Sequence, residues 1–375
     1  MSQYDVYIEK CDDYEETKIE NILRKILNEN DILSLMHEGI KVGLKVNLVS
    51  AMNPSKAATT HPIIVKMLTK ILIEAKAEVI IGDSPGGLYT AAILKNNYKE
   101  TGMMDSVLLG AKLNDNFEQE IIHIDGKVVK SLDTCSWLKD VDYIINVSKL
   151  KSHGMMGLSN SVKNMFGTVP GVIKAQYHYR YPDHLDFADM LIDINEYYKP
   201  IFNITDAVIG MEGNGPTQGK PRFIGLIMAS KNPYELDMVA SRIIGVSEEI
   251  IPTLKQSLLR SLSKPFEEIS TNMNIDQFII KDFKNVLPQK DMGFKKGPLS
   301  KILKKILQVK PKVTKKECIG CKKCYNICPA KAIEMKNKIP HINRKSCIRC
   351  FCCQEFCPVG AMKAEKNFII KIINH

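Results

Sequence analysis

Two cysteine runs near the end of the chain constrain its fold more than any other sequence feature. The first run reads CIGCKKCYNICP from residue 318, and the second reads CIRCFCCQEFCP from residue 347. Both have the spacing C-x2-C-x2-C-x3-C followed by proline, and the second repeats the first with an offset of 29 residues. An internal repeat of this kind predicts one supersecondary unit that is duplicated about a pseudo-twofold axis.

The spacing of the two runs indicates which chemistry these thiols support. Three cysteines on one short loop can hold three irons of a 4Fe–4S cubane, and the fourth iron needs a ligand from elsewhere in the fold. In two-cluster bacterial ferredoxins, the fourth cysteine of each run ligates the other cluster. The runs therefore predict two 4Fe–4S clusters with crossed ligands. One set is Cys318, Cys321, Cys324 and Cys357, and the other is Cys347, Cys350, Cys353 and Cys328.

Two other uses of these cysteines fit the pattern less well. Zinc also takes four thiolates, but its ligands usually come as two separated C-x2–4-C pairs. Disulfide frameworks are typical of secreted chains, and the N-terminal segment MSQYDVYIEKC has early acidic residues and no apolar signal region. Cys352 is an extra thiol beside Cys353. The spacing makes Cys353 the ligand, although an exchange between the two stays open.

Composition narrows the class of protein. The chain has 375 residues, of which 45% are hydrophobic and 25% are charged, so it is long enough for two or three ordinary globular domains. No window approaches the ~18 apolar residues of a transmembrane segment. Eight thiolates committed to iron imply a reducing, anaerobic environment, and we expect a cytoplasmic protein. The sequence contains no flavin or nicotinamide signature.

The net charge of +10 is concentrated in one segment. Residues 290–316 contain ten lysines and one acidic residue, so the rest of the chain is near balance and a nucleic-acid-binding surface is not indicated. Residues 286–311 are predicted to form a basic linker with an amphipathic helix over 299–310. The basic segment is a candidate docking site for an acidic redox partner protein. A membrane-surface helix and a helix packed on the protein body with its lysines in water are the alternatives.

Apolar strands alternate with amphipathic helices over residues 1–285. Strands are predicted at residues 5–11, 41–49, 78–84, 142–151, 201–211 and 222–230. Helices are predicted at residues 61–77, 89–100, 158–166, 183–197, 234–245 and 247–262. Nearly continuous apolar strands separated by helices are typical of a parallel sheet that is covered on both faces. The expected fold is α/β, with a Rossmann-like, mostly parallel sheet domain over 1–285. An α+β two-cluster bacterial ferredoxin domain, ending in a strand over 367–373, is expected over 312–375.

Polar residues cluster where the predicted strands end, which is where open α/β sheets bind their ligands. The loop GDSPGG from residue 82 could hold an anion on its backbone N–H groups, although a helix-capping turn explains it equally well. The segment 149–171 adds several lysines and small residues, which together predict an electropositive cleft for a small anionic substrate. The predicted substrate-binding residues are Lys45, Asn47, Asp83, Ser84, Lys149, Lys163, Asn164 and Asp206.

Three further residues are candidates for catalysis in the same cleft. Lys151 would bind the anion, and His153 or Glu212 would donate a proton to it. Each of these residues also has an ordinary structural interpretation, as a solvated lysine or a satisfied buried histidine. Asp237, on a later helix, is interpreted as a cap or a surface residue.

The motifs taken together resemble a known family. They are IGDSPGG, KLKSHGMMGLSNSVKNMFGTVPG, TDAVIGMEGNGPTQGKPR and both cysteine runs. They are similar to those of an iron–sulfur centre family whose main region is catalogued as a domain of unknown function, with a two-cluster ferredoxin domain at the C-terminus. The resemblance covers most of residues 40–245 and the cysteine-rich end. It implies two clusters and an α/β domain, and no settled reaction.

Three functions are compatible with these features. In the first, the chain is an electron-transfer enzyme whose ferredoxin domain exchanges electrons with a small anionic substrate held in the α/β domain. In the second, the chain is an electron carrier whose α/β domain docks partner proteins and does no chemistry. The third is a role in iron–sulfur or metal-centre assembly, with Cys352 as a spare ligand.

Overall fold

An eight-stranded mixed sheet forms the centre of the larger domain in this computed structural model, which describes residues 3–286 and 309–365. Most of the predicted linker helix over 299–310 and the predicted strand over 367–373 lie outside the described residues. Five neighbouring strands run parallel to one another. In spatial order they are β4 (Lys112–Leu113), β3 (Glu78–Gly82), β2 (Lys41–Lys45), β7 (Tyr143–His153) and β9 (Phe202–Glu212).

The remaining strands of this domain are antiparallel. Beyond β9 the sheet continues with β10 (Lys220–Ser230) and then β1 (Tyr7–Lys10), and β8 (Gly157–Ser159) pairs with the end of β7. A separate hairpin consists of β5 (Gln119–His123) and β6 (Ser131–Cys135). The α/β class and the mostly parallel sheet are therefore confirmed.

Both faces of the sheet are covered by apolar side chains. In β10, Ile227 and Ala229 belong to the larger apolar cluster, whereas Leu226 and Met228 belong to the smaller one. Successive side chains of a strand point to opposite faces, so each cluster covers one face. The helices of this domain are α1 (Glu16–Glu29), α2 (Pro62–Glu74), α3 (Ala91–Glu100), α4 (Ser161–Asn164), α5 (Ile173–Arg180), α6 (His184–Tyr198), α7 (Pro233–Ile243) and α8 (Pro252–Leu259).

The six strands predicted for residues 1–285 all occur, and the differences lie in the shorter elements. The helix predicted over 158–166 is instead the short strand β8 followed by the four-residue helix α4, because residues 157–159 pair with β7. Helix α5 and the hairpin of β5 and β6 were not predicted from the sequence. The periodicity of such short elements is too brief to distinguish them from loops.

The ferredoxin-like module is small and built from two related halves. Strand β11 (Lys310–Val313) pairs with β14 (Met362–Glu365), and β12 (Ile333–Lys336) pairs with β13 (Ile339–Ile342). Each cysteine run forms a short helix, α9 (Lys323–Ile327) in the first and α10 (Cys352–Glu355) in the second. The backbone repeats as the sequence does, since residues 322 and 351 are both left-handed with φ of 61° and 62°.

The second half of the module packs on the larger domain. Phe351 is 2% exposed and belongs to the larger apolar cluster of that domain. The Gln354 amide donates to the backbone oxygens of Asn214 (2.9 Å) and Gly215 (3.0 Å). The backbone N–H of Ala364 donates to Asn214 Oδ1 at 2.9 Å. The loop after β9 therefore binds the module through its own polar groups. Within the described residues, no helix is long and apolar enough to cross a bilayer.

Candidate functional site

The eight predicted cluster ligands surround two small hollows in the module. The first hollow is lined by Cys318, Cys321, Cys324 and Cys357. The second is lined by Cys328, Cys347, Cys350, Cys353 and also Cys352. Each group contains the four cysteines that the crossed ligand sets predict, and four thiols around one hollow fit a 4Fe–4S cluster. The ligation itself stays a prediction.

A cavity of about 700 Å³ lies between the module and the larger domain. On the side of the larger domain it is lined by Asn47 after β2, Asp83 after β3 and Lys151 near the end of β7. On the side of the module it is lined by residues that include Glu355 and Cys357. The cavity therefore lies at the carboxyl edge of the parallel strands, where open α/β sheets bind ligands.

The structure brings six of the eleven predicted site residues of the α/β domain into the cavity wall and leaves five outside it. The six in the wall are Asn47, Asp83, Ser84, Lys151, Lys163 and Asn164. The five outside it are Lys45, Lys149, His153, Asp206 and Glu212. All eleven are on or beside strands at one edge of the sheet, but strand position alone does not determine which of them meet a ligand.

Lys151 presents a buried ammonium group to the cavity. The side chain is 1% exposed, and its Nζ donates to Asn47 Oδ1 at 2.8 Å and to the Ala58 carbonyl at 2.7 Å. Both of these acceptors are neutral. Burial, reinforced by the charge of Lys163, lowers the pKa of Lys151 to about 7. An anion bound nearby would favour the charged ammonium and raise this pKa.

Two further lysines line the cavity beside Lys151. The Nζ of Lys174 donates to the carbonyls of Ser84 (2.7 Å) and Val169 (2.6 Å), and burial lowers the pKa of Lys174 to about 8 despite the attraction of Asp83. Lys163 lies over the ring of Phe166, with its Nζ 5.5 Å from the ring centroid. In the part of the chain that the structure describes, the side chain of Lys163 has no hydrogen bond or salt bridge, but its charge acts on the Glu355 carboxylate. The sequence did not single out Lys174, which lies on the unpredicted helix α5.

The two remaining predicted anion-binding lysines each have a buried carboxylate partner. Lys45 Nζ lies 2.7 Å from Asp83 Oδ1, and Lys149 Nζ lies 2.8 Å from Asp206 Oδ2. A Cβ atom at Gly167 would overlap the first pair, so only glycine lets the backbone pass there. Each pair neutralises its own charge. These two lysines therefore stabilise the strands beneath the cavity and add no net positive charge to it.

His153 connects the two domains and lies outside the cavity wall. Its Nδ1 accepts hydrogen bonds from the backbone N–H groups of Met155 and Met156, both at 3.1 Å. The proton is therefore on Nε2, which donates to Glu355 Oε1 at 2.9 Å. Burial lowers the pKa of His153 to about 4, so the ring is neutral at pH 7. Nδ1 is thus used within the larger domain, and Nε2 makes the contact with the module.

Glu212 is also placed away from the cavity. Its carboxylate accepts the backbone N–H of Lys284 at 3.1 Å and lies 4.0 Å from the guanidinium of Arg222. Two carboxylates do line the cavity, Asp83 after β3 and Glu355 from α10 of the module. Although burial raises it, the charge of Lys163 and the hydrogen bond from His153 hold the pKa of Glu355 well below its usual range.

Helix α4, which carries two cavity residues, is held in place by a buried carboxylate. The two oxygens of Asp237 accept the backbone N–H groups of Ser161 (2.8 Å) and Val162 (3.2 Å) at the start of this short helix. Asp237 is 2% exposed, and burial raises its pKa to about 7. The interpretation of Asp237 as a cap is consistent with these contacts, and the helix it caps presents Lys163 and Asn164 to the cavity.

Comparison with protein families identifies both domains. Residues 310–358 match a 4Fe-4S dicluster domain. Residues 42–242, more than half of the chain, match the domain described as Domain of unknown function (DUF362). The chain belongs to the DUF362 family. Its cysteine-rich end is therefore an iron–sulfur domain, as the resemblance implied, and iron–sulfur electron transfer is the chemistry that such a domain supports.

Individual relatives of this DUF362 protein add little about its function. Thylakoid-associated protein sll1697 of Synechocystis sp. (strain ATCC 27184 / PCC 6803 / Kazusa) is 32% identical over 224 residues, which are 58% of this chain and 66% of that protein. This chain thus matches slightly less than two thirds of the relative's length.

Two solved structures show a distant likeness. The lactate racemase apoprotein from Thermoanaerobacterium thermosaccharolyticum has a TM-score of 0.38 and 12% identity, covering 62% of this chain and 55% of that one. A protein from Thermotoga maritima has a TM-score of 0.36 and 13% identity, covering 57% of this chain and 55% of that one. Structural similarity at these TM-scores supports no inference about function.

Proposed function

We propose that this DUF362 protein is an iron–sulfur oxidoreductase that reduces an anionic substrate in the cavity between its two domains. The supporting observation is that a predicted cluster ligand and three lysines line the same cavity. The predicted cluster ligand Cys357 lines the same cavity as the ammonium groups of Lys151, Lys163 and Lys174. The crossed ligand sets are part of the proposal, and the two clusters, when bound, supply single electrons.

The three lysines would bind the anionic group of the substrate. Lys151 donates two hydrogen bonds to neutral oxygens, so its ammonium keeps one N–H for an anion. Lys174 donates to Ser84 O, Ser84 Oγ and Val169 O, so it contributes positive charge to the wall and would have to give up one of these bonds to contact the anion directly. Burial lowers the pKa values of Lys151 and Lys174 to about 7 and about 8, and an anion bound beside them would favour the charged ammonium forms. Asn47 and Asn164 supply further polar contacts in the same wall.

Lys151 is also the residue best placed to donate a proton. A general acid works best with a pKa near the working pH, and the pKa of Lys151 is about 7. Its Nζ lies at the cavity, whereas His153 and Glu212 lie outside the wall. We therefore assign proton donation to Lys151. A substrate that accepts two electrons would take up protons to balance the added charge.

The electrons would come from an external donor protein, and we expect it to approach the solvent-facing first cysteine run. Cys321 is exposed there. A cytoplasmic location and an anaerobic setting remain predictions. The carrier function differs from this proposal at one point, because a carrier would have no substrate in the cavity.

Reoxidation of the reduced protein tests the proposal. Anaerobically purified protein is reduced with dithionite and mixed with a panel of organic anions and their neutral analogues, and the visible absorbance of the clusters is followed. We expect an anionic acceptor to reoxidise the protein, and Lys151→Met to slow this reaction at least ~10-fold, as removal of one preorganised donor does elsewhere.

Lys255→Met is the matched control, because Lys255 is an exposed lysine on α8 outside the cavity wall. Equal reoxidation rates in wild type and Lys151→Met would contradict the proposal. Reoxidation by acceptor proteins alone, with no response to any small molecule, would favour the carrier function.

A further inference from the structure

We propose that the cavity binds an organic anion with a large apolar body, rather than a small inorganic anion. This inference specifies the ligand of the proposed function and rests on the same cavity. Its volume is about 700 Å³, within the range of ~300–1,000 Å³ that is usual for organic ligands and cofactors. An anion of a few atoms would contact the lysines and leave most of this volume filled with water.

The wall of the cavity has a polar part and a larger apolar part. The lysines and asparagines come from the carboxyl edge of the sheet, from α4 and α5, and from α9 of the module, and the carboxylates of Asp83 and Glu355 lie in the same wall. Apolar side chains complete the wall from both domains. They include Met52, Leu88, Ile93, Val172, Ile327 and Phe356. An anionic group at the lysines and an apolar body along the rest of the wall would satisfy both parts.

Several of these apolar side chains are not covered by protein in the part of the chain that the structure describes. Leu88 is 61% exposed, Val172 is 40% exposed and Ile93 is 39% exposed, and all three line the cavity. Exposed apolar side chains are unremarkable when they are scattered, but a group around one cavity is typical of a binding site. Burying them under an apolar ligand would contribute favourable free energy that a hydrated inorganic ion cannot provide.

His178 adds a neutral aromatic ring to this wall. It lines the cavity, is 2% exposed, and stacks on Phe187 with ring centroids 4.4 Å apart. Among the described residues, its Nδ1 has no hydrogen-bond partner. Burial lowers the pKa of His178 to about 3, so the ring is neutral and does not add to the positive charge. His178 therefore gives the wall an uncharged aromatic surface for the apolar body of the ligand, while its Nδ1 lies beneath that surface.

Binding to the oxidised, cluster-loaded protein tests the inference without any electron transfer. Isothermal titration calorimetry under nitrogen is used with three probes: 4-phenylbutyrate, butyrate and 4-phenylbutan-1-ol. We expect 4-phenylbutyrate to bind at least ~10-fold more tightly than either of the others, since only it has both the anionic group and the apolar body.

Two variants separate the two parts of the wall. Lys163→Met is expected to weaken 4-phenylbutyrate about 10-fold and leave 4-phenylbutan-1-ol unchanged. Leu88→Ser is expected to weaken both phenyl probes about 3-fold and leave butyrate unchanged. Lys255→Met and Leu259→Ser are the matched controls on α8, where Leu259 is 71% exposed. Neither control should change any affinity.

The outcomes distinguish this inference from the proposed function. If butyrate binds as tightly as 4-phenylbutyrate, or if no probe binds, the inference is wrong, even where a small inorganic anion still reoxidises the reduced protein. If 4-phenylbutyrate binds as expected but no anionic acceptor reoxidises the clusters, the inference stands and the reductase function fails.

Discussion

The two cysteine runs have the same backbone and opposite surroundings. In the first run Cys321 is exposed, Ile319 is 64% exposed and Tyr325 is 50% exposed. In the second run Phe351 is 2% exposed and Gln354 is fully buried. A duplicated unit has therefore become asymmetric by docking one of its halves on the larger domain. Among the described residues, the first half keeps several apolar side chains exposed, whereas the second half is buried against the larger domain.

Equivalent positions of the repeat show how few side chains cause this difference. Tyr325 and Gln354 occupy the same position in the two runs, but only Gln354 donates hydrogen bonds to the loop after β9. Lys323 and Cys352 are also equivalent, and both line the cavity. The paired helices α9 and α10 thus contribute together to the cavity, while the contacts that hold the module come from the second run.

Removing a cysteine that is predicted to ligate a cluster is expected to have the largest effect, which is a loss of iron. Cys353→Ala should lower the iron content from about eight to about four per chain, or less, because one cluster loses a ligand. Cys352→Ala should keep about eight irons, since the spacing assigns ligation to Cys353. Iron and sulfide analysis of anaerobically purified protein measures both. Loss of iron in Cys352→Ala with retention in Cys353→Ala would reverse the assignment of these two thiols.

Loss of the hydrogen bonds that dock the second half of the module on the larger domain is expected to have the next largest effect, seen in local stability. Gln354→Ala leaves the buried acceptors of Asn214 and Gly215 without their donor, which costs about 1–3 kcal/mol. Hydrogen exchange in the segment 213–217 should therefore become ~10-fold faster or more, with the iron content unchanged. Tyr325→Ala is the matched control from the first run, and it should leave exchange in that segment as in wild type. Equal effects of the two variants would show that docking does not depend on this side chain.

The pH dependence of anion binding tests the cavity that lies beside the docked half of the module. The pKa of Lys151 is about 7 in the free protein, and a bound anion raises it. The affinity for 4-phenylbutyrate should be greatest below pH 7. As the pH rises above 7 it should fall, by up to ~10-fold per pH unit, until Lys151 is also deprotonated in the complex. Lys174, with a pKa of about 8, extends this fall to higher pH.

In Lys151→Met this fall should begin nearer pH 8, because only Lys174 then titrates near the ligand. Titration calorimetry between pH 6 and 9 measures both profiles. A pH-independent affinity in wild type would mean that neither ammonium contacts the anion.

A substitution on the exposed surface of the first cysteine run is expected to have the smallest effect, which is a slower reduction by a donor protein. Ile319 is exposed beside the first hollow, so Ile319→Ser removes apolar contact area for a partner without disturbing the core. Reduction by a small electron-donor protein should slow about 3-fold, while reduction by dithionite should be unchanged. Stopped-flow absorbance gives both rates, with Leu259→Ser as the control. An equal slowing with dithionite would point to a damaged cluster rather than to a lost contact surface.

The sequence by itself determined the features that depend on local pattern. Apolar periodicity predicted six of the eight strands of the sheet, and the spacing of the cysteines predicted which four thiols surround each hollow. The strand ends also predicted the edge of the sheet where the cavity lies. These features depend on residues that are close together in the chain, and so they can be inferred without the fold.

Only the tertiary structure decided which of the polar residues line the cavity. Lys45 and Lys149 resemble Lys151 in sequence context, but carboxylates brought from other strands neutralise the first two. His153 was a candidate proton donor, but the module supplies Glu355 as its partner from 202 residues away in the chain. Such contacts join distant segments, and their energies depend on burial, which local sequence patterns do not encode.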